Sequence, residues 1–430
     1  MGLIELFLQE RKRMDKIIIE GGRHLKGELE ISGAKNAILP IMAAMILTSG
    51  ENKISRVPRV RDVSTMLHLL SELGGRVQEF EDDHIIFNTV DVNSYEAPYE
   101  LVSTMRASCL VLGPLLARLG KAKVSLPGGC AIGARPLDLH IRGLEAMGAE
   151  IRLEKGYIYG TVKRLQGTRY HFDKVSVTGT ANLMMAATLA DGETILENVA
   201  KEPEIVFLAD VLNNCGAKIE GQGTKFLVIQ GVRSLKPIDC RVCPDRIETG
   251  TYMIASAITG GDVKIINCLP KQVENLTHKL RQAGVAVEQN KTSLRITSDG
   301  SFNGVNIKTQ PYPGFATDLQ AQFMALMTLA RGQSIIVETI FENRFMHVAE
   351  LNRMGADITV QGHKVLVRGV KRLSGAKLMA TDLRASASLV LAALAAEGKS
   401  VISRVYHIDR GYSGMEDKLY RLGAKISRKK

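Results

Sequence analysis

The chain repeats one pattern six times, and this repetition constrains its fold more than any other feature of the sequence. A helix-like segment ends at a glycine, which is followed by a β-branched segment typical of a strand. The glycines at these breaks are Gly74, Gly148, Gly216, Gly284, Gly355 and Gly423. They follow one another at intervals of 68 to 74 residues. A chain with such a period builds its core by assembling units, because one unit cannot bury its own apolar face.

A second element recurs with the same period. It is an apolar helix that ends at a glycine and leads into a strand, as in LPIMAAMIL and ASLVLAALAA. A glycine just past a helix end supplies the left-handed residue that terminates many helices. The first unit predicts a strand at GELEISG, a helix over 36–48, a strand over 52–57, a helix over 62–73, and strands over 76–80 and at HIIFNT. Each unit is therefore predicted to be a βαβαββ repeat.

The polarity of the two helices in each repeat predicts how the repeats assemble. The first helix is apolar nearly all round and so should be buried, whereas the second carries more charge and should cover one side. Several buried helices inside a shell of sheets satisfy both requirements. We therefore expect an α/β protein of two pseudo-symmetric lobes with three repeats each. Two lobes offer a cleft, which is where ligands commonly bind.

Charge and composition narrow the class of ligand. The net charge is +11, yet Lys and Arg form no block beyond the two termini. Trp is absent and aromatic residues make up 5% of the chain, which disfavours a nucleic-acid platform of stacked rings. Scattered single cations favour a small anionic ligand instead. No apolar run approaches the ~18–20 residues of a membrane span, so we expect no membrane association.

The N-terminus and the cysteines favour a cytoplasmic protein. The opening MGLIELFLQERKR carries its charge after its apolar part, the reverse of a secretory signal. Residues 1–13 are either an extension or precede a genuine start at Met14. Six dispersed cysteines are expected to be thiols in a reducing compartment. CRVC at 240–243 has no second ligand pair, so no metal site is predicted. His140 and His347 are expected to form hydrogen bonds.

Single charged residues stand at the starts of the buried helices. Lys35 with Asn36, Arg106 and Arg384 lie where free N–H groups and the helix dipole already attract anions. They predict an anion site, although salt bridging or a solvated helix end stays open for each. Asp318 opens another buried helix after a loop with Pro and Gly. It is a candidate general base, or the N-cap of its helix, or both.

The stretch SLPGGCAIGARPLDLH sets Cys130 in a glycine-rich loop five residues before Arg135. Pro136 suits the first position of a helix. Two interpretations stay open. Cys130 is either a small buried hydrophobe or a reactive thiol whose pKa is lowered by Arg135 and the helix start, on a loop that acts as a lid.

Taken together, these motifs resemble the enolpyruvyl transferase family, and within it the UDP-N-acetylglucosamine 1-carboxyvinyltransferases. The resemblance runs from about Met14 to the C-terminus. The stretches that carry it are ISGAKNA, TMRAS, LPGGCAIGARPLDLH, DKVSV, EPEIV, PDRIETGT, TDLQAQF, ETIFENRFMHV, MATDLRASASLV and YHIDRGY. The cysteine loop is the most discriminating, because the related shikimate-type synthases share the fold and lack it.

The resemblance implies a fold, an activity and two lobes. The fold is an inside-out α/β barrel, with one lobe over 14–34 plus 244–430 and the other over 35–243. The activity is transfer of the enolpyruvyl group of phosphoenolpyruvate to the 3-hydroxyl of UDP-N-acetylglucosamine, through a tetrahedral ketal and with release of phosphate. This is the first committed step of peptidoglycan synthesis. No metal or organic cofactor is implied, and the oligomeric state is left open.

The resemblance also implies the roles of individual residues. The catalytic residues are Cys130, Asp318, Arg410 and Lys35. Those at phosphoenolpyruvate are Lys35, Asn36, Arg135, Arg384 and Arg410, with Asp382 nearby. Those at the UDP-sugar are Arg106, Arg135, Pro136, Leu137, Asp138, Leu139, Lys174, Ser176, Val177, Thr178, Asp318 and Ile340. Cys130 is the implied proton donor and the residue that fosfomycin alkylates, and Asp318 is the implied acceptor of the 3-hydroxyl proton.

Three departures and three rival functions accompany this interpretation. SVTGT replaces the family's common SVGAT near Thr178, Arg61 stands where some members have Lys, and residues 1–13 have no counterpart. The rivals are a shikimate-type synthase, a non-catalytic sugar-nucleotide sensor and a basic nucleic-acid binder. The cysteine loop argues against the first, intact Cys130, Asp318 and Arg410 against the second, and the scarcity of aromatics against the third.

Overall fold

Six four-stranded sheets recur along the chain in the computed structural model, which describes residues 15–81, 83–126 and 137–429. In chain order the strands are β1 (Lys16–Glu20), β2 (Lys26–Glu30), β3 (Glu51–Ser55), β4 (Arg76–Glu81), β5 (His84–Asn88), β6 (Glu96–Ala97), β7 (Lys121–Ser125), β8 (Glu150–Glu154), β9 (Tyr157–Thr161), β10 (Arg169–His171), β11 (Glu193–Glu197), β12 (Lys218–Glu220), β13 (Phe226–Gln230), β14 (Asp239–Arg241), β15 (Asp262–Ile266), β16 (Ala286–Gln289), β17 (Ser293–Thr297), β18 (Ile307–Lys308), β19 (Gln333–Val337), β20 (Asp357–Gln361), β21 (Lys364–Arg368), β22 (Lys377–Met379), β23 (Lys399–Ser403) and β24 (Lys425–Lys429).

All six sheets share one topology. Their strand orders are β14-β3-β5-β4, β6-β7-β9-β8, β10-β11-β13-β12, β2-β15-β17-β16, β18-β19-β21-β20 and β22-β23-β1-β24. In each, the first two strands are parallel and the remaining neighbours are antiparallel, as in β6-β7-β9-β8. A parallel pair requires a crossover connection, and in four of the sheets the buried helix supplies it, as between β6 and β7. The predicted βαβαββ repeat is therefore confirmed in its order of elements.

The strand at GELEISG, which the sequence analysis counts as the first strand of the first repeat, does not join the other strands of that repeat. The strand at GELEISG (β2) pairs in parallel with β15 and belongs to the fourth repeat's sheet. Its expected place beside β3 is taken by β14, from almost 200 residues later in the chain. Strand β1 lies between β23 and β24 and completes the sixth sheet. Periodicity predicts the type of an element, but the pairing of edge strands depends on which sheet is nearby in space.

The described residues form two compact units, each with its own hydrophobic core. One unit comprises residues 15–32 and 244–429, and the other comprises 33–126, apart from residue 82, and 137–243. Each unit contains three of the six sheets. The units are called here the 244–429 unit and the 33–243 unit.

Every repeat has one buried helix and one covering helix. The buried helices are Lys35–Ala44, Leu112–Leu119, Val177–Ala187, Arg246–Ile258, Gln320–Met327 and Leu383–Ala395. The covering helices are Arg61–Glu72, Asp138–Ala146, Pro203–Asn214, Glu274–Ala283, Val348–Arg353 and Met415–Arg421, and a further short helix is Tyr99–Val102. Short 3₁₀ segments are Met45–Leu47, Arg106–Val111, Pro270–Val273, Thr317–Leu319 and Val405–Arg410. All residues of Gln320–Met327 are buried, as its apolar sequence predicts.

The six break glycines share one backbone conformation. Their φ angles lie between +89° at Gly148 and +101° at Gly216. An L-residue with a side chain rarely adopts this left-handed region, so glycine is strongly favoured where each covering helix must stop and turn into a strand. This requirement explains why the glycines mark the repeat in the sequence. Among the described helices, none is both long and apolar enough to cross a membrane.

Candidate active site

Asp318 lies at the start of a buried helix and is held by two arginines. Its Oδ1 accepts a hydrogen bond from Nη2 of Arg344 at 2.8 Å. Its Oδ2 accepts from Nε of Arg384 at 3.2 Å, and Nη2 of Arg384 lies at the same distance. The two guanidinium groups are almost fully buried, whereas 26% of the Asp318 side chain is exposed. A carboxylate with an open side and two buried cations behind it can face a polar substrate.

The electrostatics of Asp318 follow from these contacts. Burial raises the pKa of its carboxyl group, but the positive charges of Arg384 and Arg344 outweigh burial and hold that pKa well below its ordinary value. The carboxylate also raises the pKa of Arg384 against the effect of burial. Asp318 is therefore ionised near neutral pH.

Arg384 has a donor that Asp318 does not use. The Nη1 atom of this buried guanidinium has no hydrogen-bond partner among the described residues. The guanidinium packs over the ring of Tyr412, with 5.3 Å from Cζ to the ring centroid. Asp382 caps the same helix, since its Oδ1 accepts from the backbone N–H groups of Arg384 and Ala385, both at 3.0 Å. A buried N–H of a cation that lacks a protein acceptor points to an anionic ligand.

The other predicted residues of the 244–429 unit lie on neighbouring elements. Arg410 ends the 3₁₀ segment Val405–Arg410, which packs against the helix that carries Arg384. Ile340 is 37% exposed and lies in the turn after β19. Sequence reasoning missed two residues here. They are Arg344 and Glu338, although both lie in the stretch ETIFENRF, which carries part of the resemblance.

His347 departs from the prediction that it forms hydrogen bonds. Its side chain is 1% exposed, and neither ring nitrogen has a hydrogen-bond partner within the described part of the chain. Burial lowers its pKa to about 4, and Arg344 also lowers it while Asp382 raises it. His347 directly precedes the covering helix Val348–Arg353, and its ring is buried inside the unit. The sequence does not indicate which hydrogen-bond acceptors surround a buried ring.

In the 33–243 unit, Lys35 is already paired. Its Nζ lies 2.6 Å from Oδ2 of Asp62, and both side chains are buried. Lys35 begins the helix Lys35–Ala44, and Asp62 lies in the first turn of Arg61–Glu72, so the two helices of one repeat meet at this ion pair. The helix Lys35–Ala44 also packs against the segment that begins at Arg106. Sequence reasoning did not anticipate Asp62 as a partner.

His140 forms hydrogen bonds, as predicted, and contacts one of the predicted UDP-sugar residues of this unit. Its Nδ1 accepts from Nδ2 of Asn182 at 2.8 Å, which leaves Nε2 to donate to Oγ1 of Thr178 at 3.2 Å. Asn182 in turn accepts from the backbone N–H of Gly113 at 2.7 Å. This chain joins the helices Asp138–Ala146, Val177–Ala187 and Leu112–Leu119. Thr178, the departure from the family's pattern, is thus held by a buried side chain.

The remaining predicted residues of the 33–243 unit surround this chain. Ser176 caps the helix Val177–Ala187, because its Oγ accepts from the N–H of Gly179 at 3.1 Å. Lys174 and Val177 are exposed just before and at this helix start. Leu137 is buried, and Asp138 and Leu139 begin the next helix. Cys130, Arg135 and Pro136 lie outside the described residues, and Asn36 is half-buried beside Lys35.

The buried imidazoles predict a pH-dependent stability. Burial is the main cause that lowers the pKa of His140 and His347 from 6.5 to about 4. Between these values the unfolded chain binds protons that the folded chain does not. The free energy of unfolding therefore falls as the pH drops from 6.5 to 4, by roughly 3 kcal/mol for each imidazole. Urea unfolding at pH 7 and 4.5 measures this loss.

Matched variants separate the imidazoles from other groups. Burial raises the pKa of Glu248, which acts in the opposite direction because its folded form holds a proton longer. His347→Gln and His140→Gln should each remove part of the loss, whereas replacement of exposed His278 by Gln should not. A pH dependence identical in all four proteins would contradict the assignment.

Two sets of polar residues thus occur, one in each unit. The first combines a carboxylate with buried arginines, and the second combines a buried Lys–Asp pair with a chain of hydrogen bonds at helix starts. No group of three or more His, Cys, Asp or Glu that could hold a metal ion occurs within residues 15–81, 83–126 and 137–429.

Comparison with known proteins places this chain among transferases. The family described as EPSP synthase (3-phosphoshikimate 1-carboxyvinyltransferase) matches residues 19–419. The UDP-N-acetylglucosamine 1-carboxyvinyltransferase of Thermodesulfovibrio yellowstonii is 56% identical over 416 residues, which cover 96% of this chain and 100% of the relative. That of Trichlorobacter lovleyi is 58% identical over 416 residues, which cover 96% of this chain and 99% of the relative.

Solved structures support the fold. The enolpyruvyl transferase NikO from Streptomyces tendae superimposes with a TM-score of 0.86 at 24% identity, covering 96% of this chain and 99% of that one. The EPSP synthase of Acinetobacter baumannii gives a TM-score of 0.76 at 18% identity, covering 97% of this chain and 100% of that one. The α/β fold class predicted from the repeats is confirmed by this likeness.

Proposed function

This chain belongs to the EPSP synthase family and, within it, to the UDP-N-acetylglucosamine 1-carboxyvinyltransferases, and from that premise we propose how its residues serve the reaction. It is a transferase that moves the enolpyruvyl group of phosphoenolpyruvate to the 3-hydroxyl of UDP-N-acetylglucosamine and releases phosphate, in peptidoglycan synthesis. The assignment of residues to steps is the proposal. The unpartnered Nη1 of buried Arg384, beside the carboxylate of Asp318, is the observation that carries it.

Asp318 accepts the proton of the 3-hydroxyl as the sugar oxygen attacks C2 of phosphoenolpyruvate. Its depressed pKa makes it a weak base while both arginines contact it. Arg384 can relieve this by turning toward the carboxylate or phosphate of phosphoenolpyruvate, for which its Nη1 is available. Loss of a neighbouring positive charge raises the pKa of a carboxyl group by about one to three units. Binding of the anionic substrate thus prepares the base.

The anionic substrate is assigned to cations, and the transfer is completed by a second proton donor. Lys35, Asn36, Arg135, Arg384 and Arg410 hold the phosphate and carboxylate groups, where Arg provides bidentate contacts. Cys130 donates a proton to the methylene carbon C3, which makes C2 electrophilic. Elimination then returns a proton from C3 to the Cys130 thiolate and expels phosphate, which leaves with the proton that Asp318 took from the sugar. Because Lys and Arg side chains offset the negative charges of phosphoenolpyruvate, we assign no metal or organic cofactor to the reaction.

The UDP-sugar is assigned chiefly to residues at helix starts. Helix N-termini favour diphosphates because their N–H groups are free and the dipole is positive there. The assigned residues are Arg106, Arg135, Pro136, Leu137, Asp138, Leu139, Lys174, Ser176, Val177, Thr178, Asp318 and Ile340. The contact between His140 and Thr178 supports this set, since it holds the first turn of the helix Val177–Ala187, where the sequence departs from the family's pattern.

We also propose the remaining features that the resemblance implies. Fosfomycin alkylates Cys130, and the protein acts in the cytoplasm on small molecules rather than on nucleic acid or membranes. The two lobes are residues 14–34 with 244–430 and residues 35–243, and residues 1–13 are an extension.

One assay tests the function against its main rival, a non-catalytic sugar-nucleotide sensor. We expect phosphate to be released from phosphoenolpyruvate only when UDP-N-acetylglucosamine is present. Shikimate 3-phosphate should not replace the sugar nucleotide. Coupled detection of phosphate measures both. Tight binding of UDP-N-acetylglucosamine by calorimetry without phosphate release would instead favour the sensor.

A further inference from the structure

A buried glutamate, Glu338, gathers the elements around Asp318. Its side chain is fully buried at the end of β19. Oε1 accepts from the hydroxyl of Thr309 at 2.8 Å and from the backbone N–H groups of Ile340 at 2.8 Å and Phe341 at 3.2 Å. Oε2 accepts from the hydroxyl of Thr317 at 2.8 Å. Both carboxyl oxygens are thus used to hold other parts of the protein.

These contacts lead to Asp318 by two routes that meet at Arg344. The hydroxyl of Thr317 donates a hydrogen bond to Glu338. The same hydroxyl accepts a hydrogen bond from Nη1 of Arg344 at 2.9 Å. The ring of Phe341, in the turn that Glu338 holds, lies 5.0 Å from Cζ of Arg344. Nη2 of Arg344 then donates to Oδ1 of Asp318 at 2.8 Å. The orientation of Arg344 is therefore set on one side by a hydroxyl and on the other by an aromatic face.

We propose that Glu338 is a positioning residue for the transfer reaction, acting through Thr317 and the 340–341 turn on Arg344 and Asp318. This inference rests on the proposed function, because Asp318 and Ile340 are assigned there to the sugar nucleotide. The carboxylate of Glu338 positions the exposed Ile340 through its backbone N–H. Through Thr317 it also orients Arg344, which in turn contacts Asp318. Glu338 thereby fixes the distance between a wall of the sugar subsite and the oxygen that receives the proton.

The arrangement explains why a carboxylate stands here rather than a neutral side chain. Thr317 has one hydroxyl hydrogen, and Arg344 requires the hydroxyl oxygen as an acceptor. That hydrogen must therefore point to an acceptor, which Glu338 supplies without offering a competing donor. A misplacement of about 1 Å in a group that receives a proton lowers the rate by about a hundredfold while substrate binding changes little.

The hydroxyl of Thr317 is the link that can be removed without changing the shape of the side chain. We expect Thr317→Val to lower kcat roughly tenfold or more, since it removes one hydrogen bond to Glu338 and one from a charged group. The KM for phosphoenolpyruvate should change less than about threefold by the same reasoning, because none of the removed contacts is assigned to that substrate. Thr317→Ser restores the hydroxyl and should recover most of kcat.

The matched control is Thr328→Val, which removes a buried hydroxyl that donates to the backbone oxygen of Ala325, at the C-terminal end of the helix Gln320–Met327. Its kcat should equal that of the parent protein. Glu338→Gln is the second variant. It keeps the shape but brings an N–H group to face either Thr317 or the 340–341 turn, so it should lower kcat as Thr317→Val does. Thermal unfolding of every variant verifies that each is folded.

The outcomes are distinct. A Thr317→Val protein with parental kcat, or a Thr317→Ser protein as impaired as Thr317→Val, overturns the positioning role of this chain. An equal loss in Thr328→Val also overturns it, since that would be a general effect of lost hydroxyls. A parent protein that releases no phosphate with UDP-N-acetylglucosamine contradicts the proposed function instead, and the parallel assay of the parent makes the two failures distinguishable.

Discussion

Replacement of Asp318 by asparagine should lower turnover by roughly 10²–10⁴-fold, the usual contribution of one general base. The amide has nearly the same shape as the carboxylate, but it cannot accept a proton and no longer attracts Arg344 and Arg384. Binding of UDP-N-acetylglucosamine should weaken by less than about tenfold, because the helix starts of the 33–243 unit carry most of the assigned contacts. The loss should therefore appear in kcat far more than in affinity.

Steady-state kinetics and calorimetry with UDP-N-acetylglucosamine measure the two quantities separately. The control is Asp357→Asn, which removes a surface ion pair with Arg368 in the same unit and should leave kcat unchanged. Equal losses of turnover and affinity in Asp318→Asn would make Asp318 a binding residue only. An unchanged kcat would remove it from the mechanism altogether.

Replacement of Cys130 by alanine should abolish turnover or lower it by a similar factor of about 10²–10⁴, because it removes the assigned proton donor. Fosfomycin should add a single mass increment to the parent protein, at Cys130, and more readily when UDP-N-acetylglucosamine is present. The Cys130→Ala protein should gain no mass. Intact-mass measurement followed by peptide mapping tests both expectations.

The other cysteines provide an internal control for this labelling. Cys109, Cys215 and Cys268 are buried, so a reagent reaches them only when the protein opens. Burial raises the pKa of Cys215 to about 11 and that of Cys240 to about 12, so both remain protonated at neutral pH. The thiolate is the reactive form. Labelling distributed over these cysteines, or parental activity in Cys130→Ala, would contradict the assignment.

The predicted and observed elements agree most closely where local chemistry dictates them. The helix predicted over 62–73 occurs at Arg61–Glu72, and the strand predicted over 76–80 at Arg76–Glu81. The helix predicted over 36–48 ends earlier as an α-helix, at Ala44, and continues as a 3₁₀ turn through Leu47. Hydrophobic period and glycine position are local properties, so short stretches of sequence suffice to place these elements.

Site residues divide in the same way. Sequence predicted charged groups at the starts of buried helices, because dipole and free N–H groups are local to a helix end. Lys35 and Arg384 lie in the first turns of their α-helices, whereas Arg106 and Asp318 lie in 3₁₀ segments that lead into theirs. The ion-pair partners of these residues could not be predicted from the sequence. Asp62 pairs with Lys35 from a different helix, and Arg344 meets Asp318 through a contact that spans 26 residues of sequence.

From the amino-acid sequence alone came the number of repeats, the order of elements within each repeat and the family, because these depend on periodicity and on short motifs. The tertiary structure decided which sheet receives β1, β2 and β14, and which acceptor each buried polar group finds. An edge strand pairs with whichever exposed edge lies beside it, and a buried hydrogen bond joins groups that are neighbours only in space. The contacts of Glu338 belong to this second kind, since its partners come from β18–β19, the start of a buried helix and a turn.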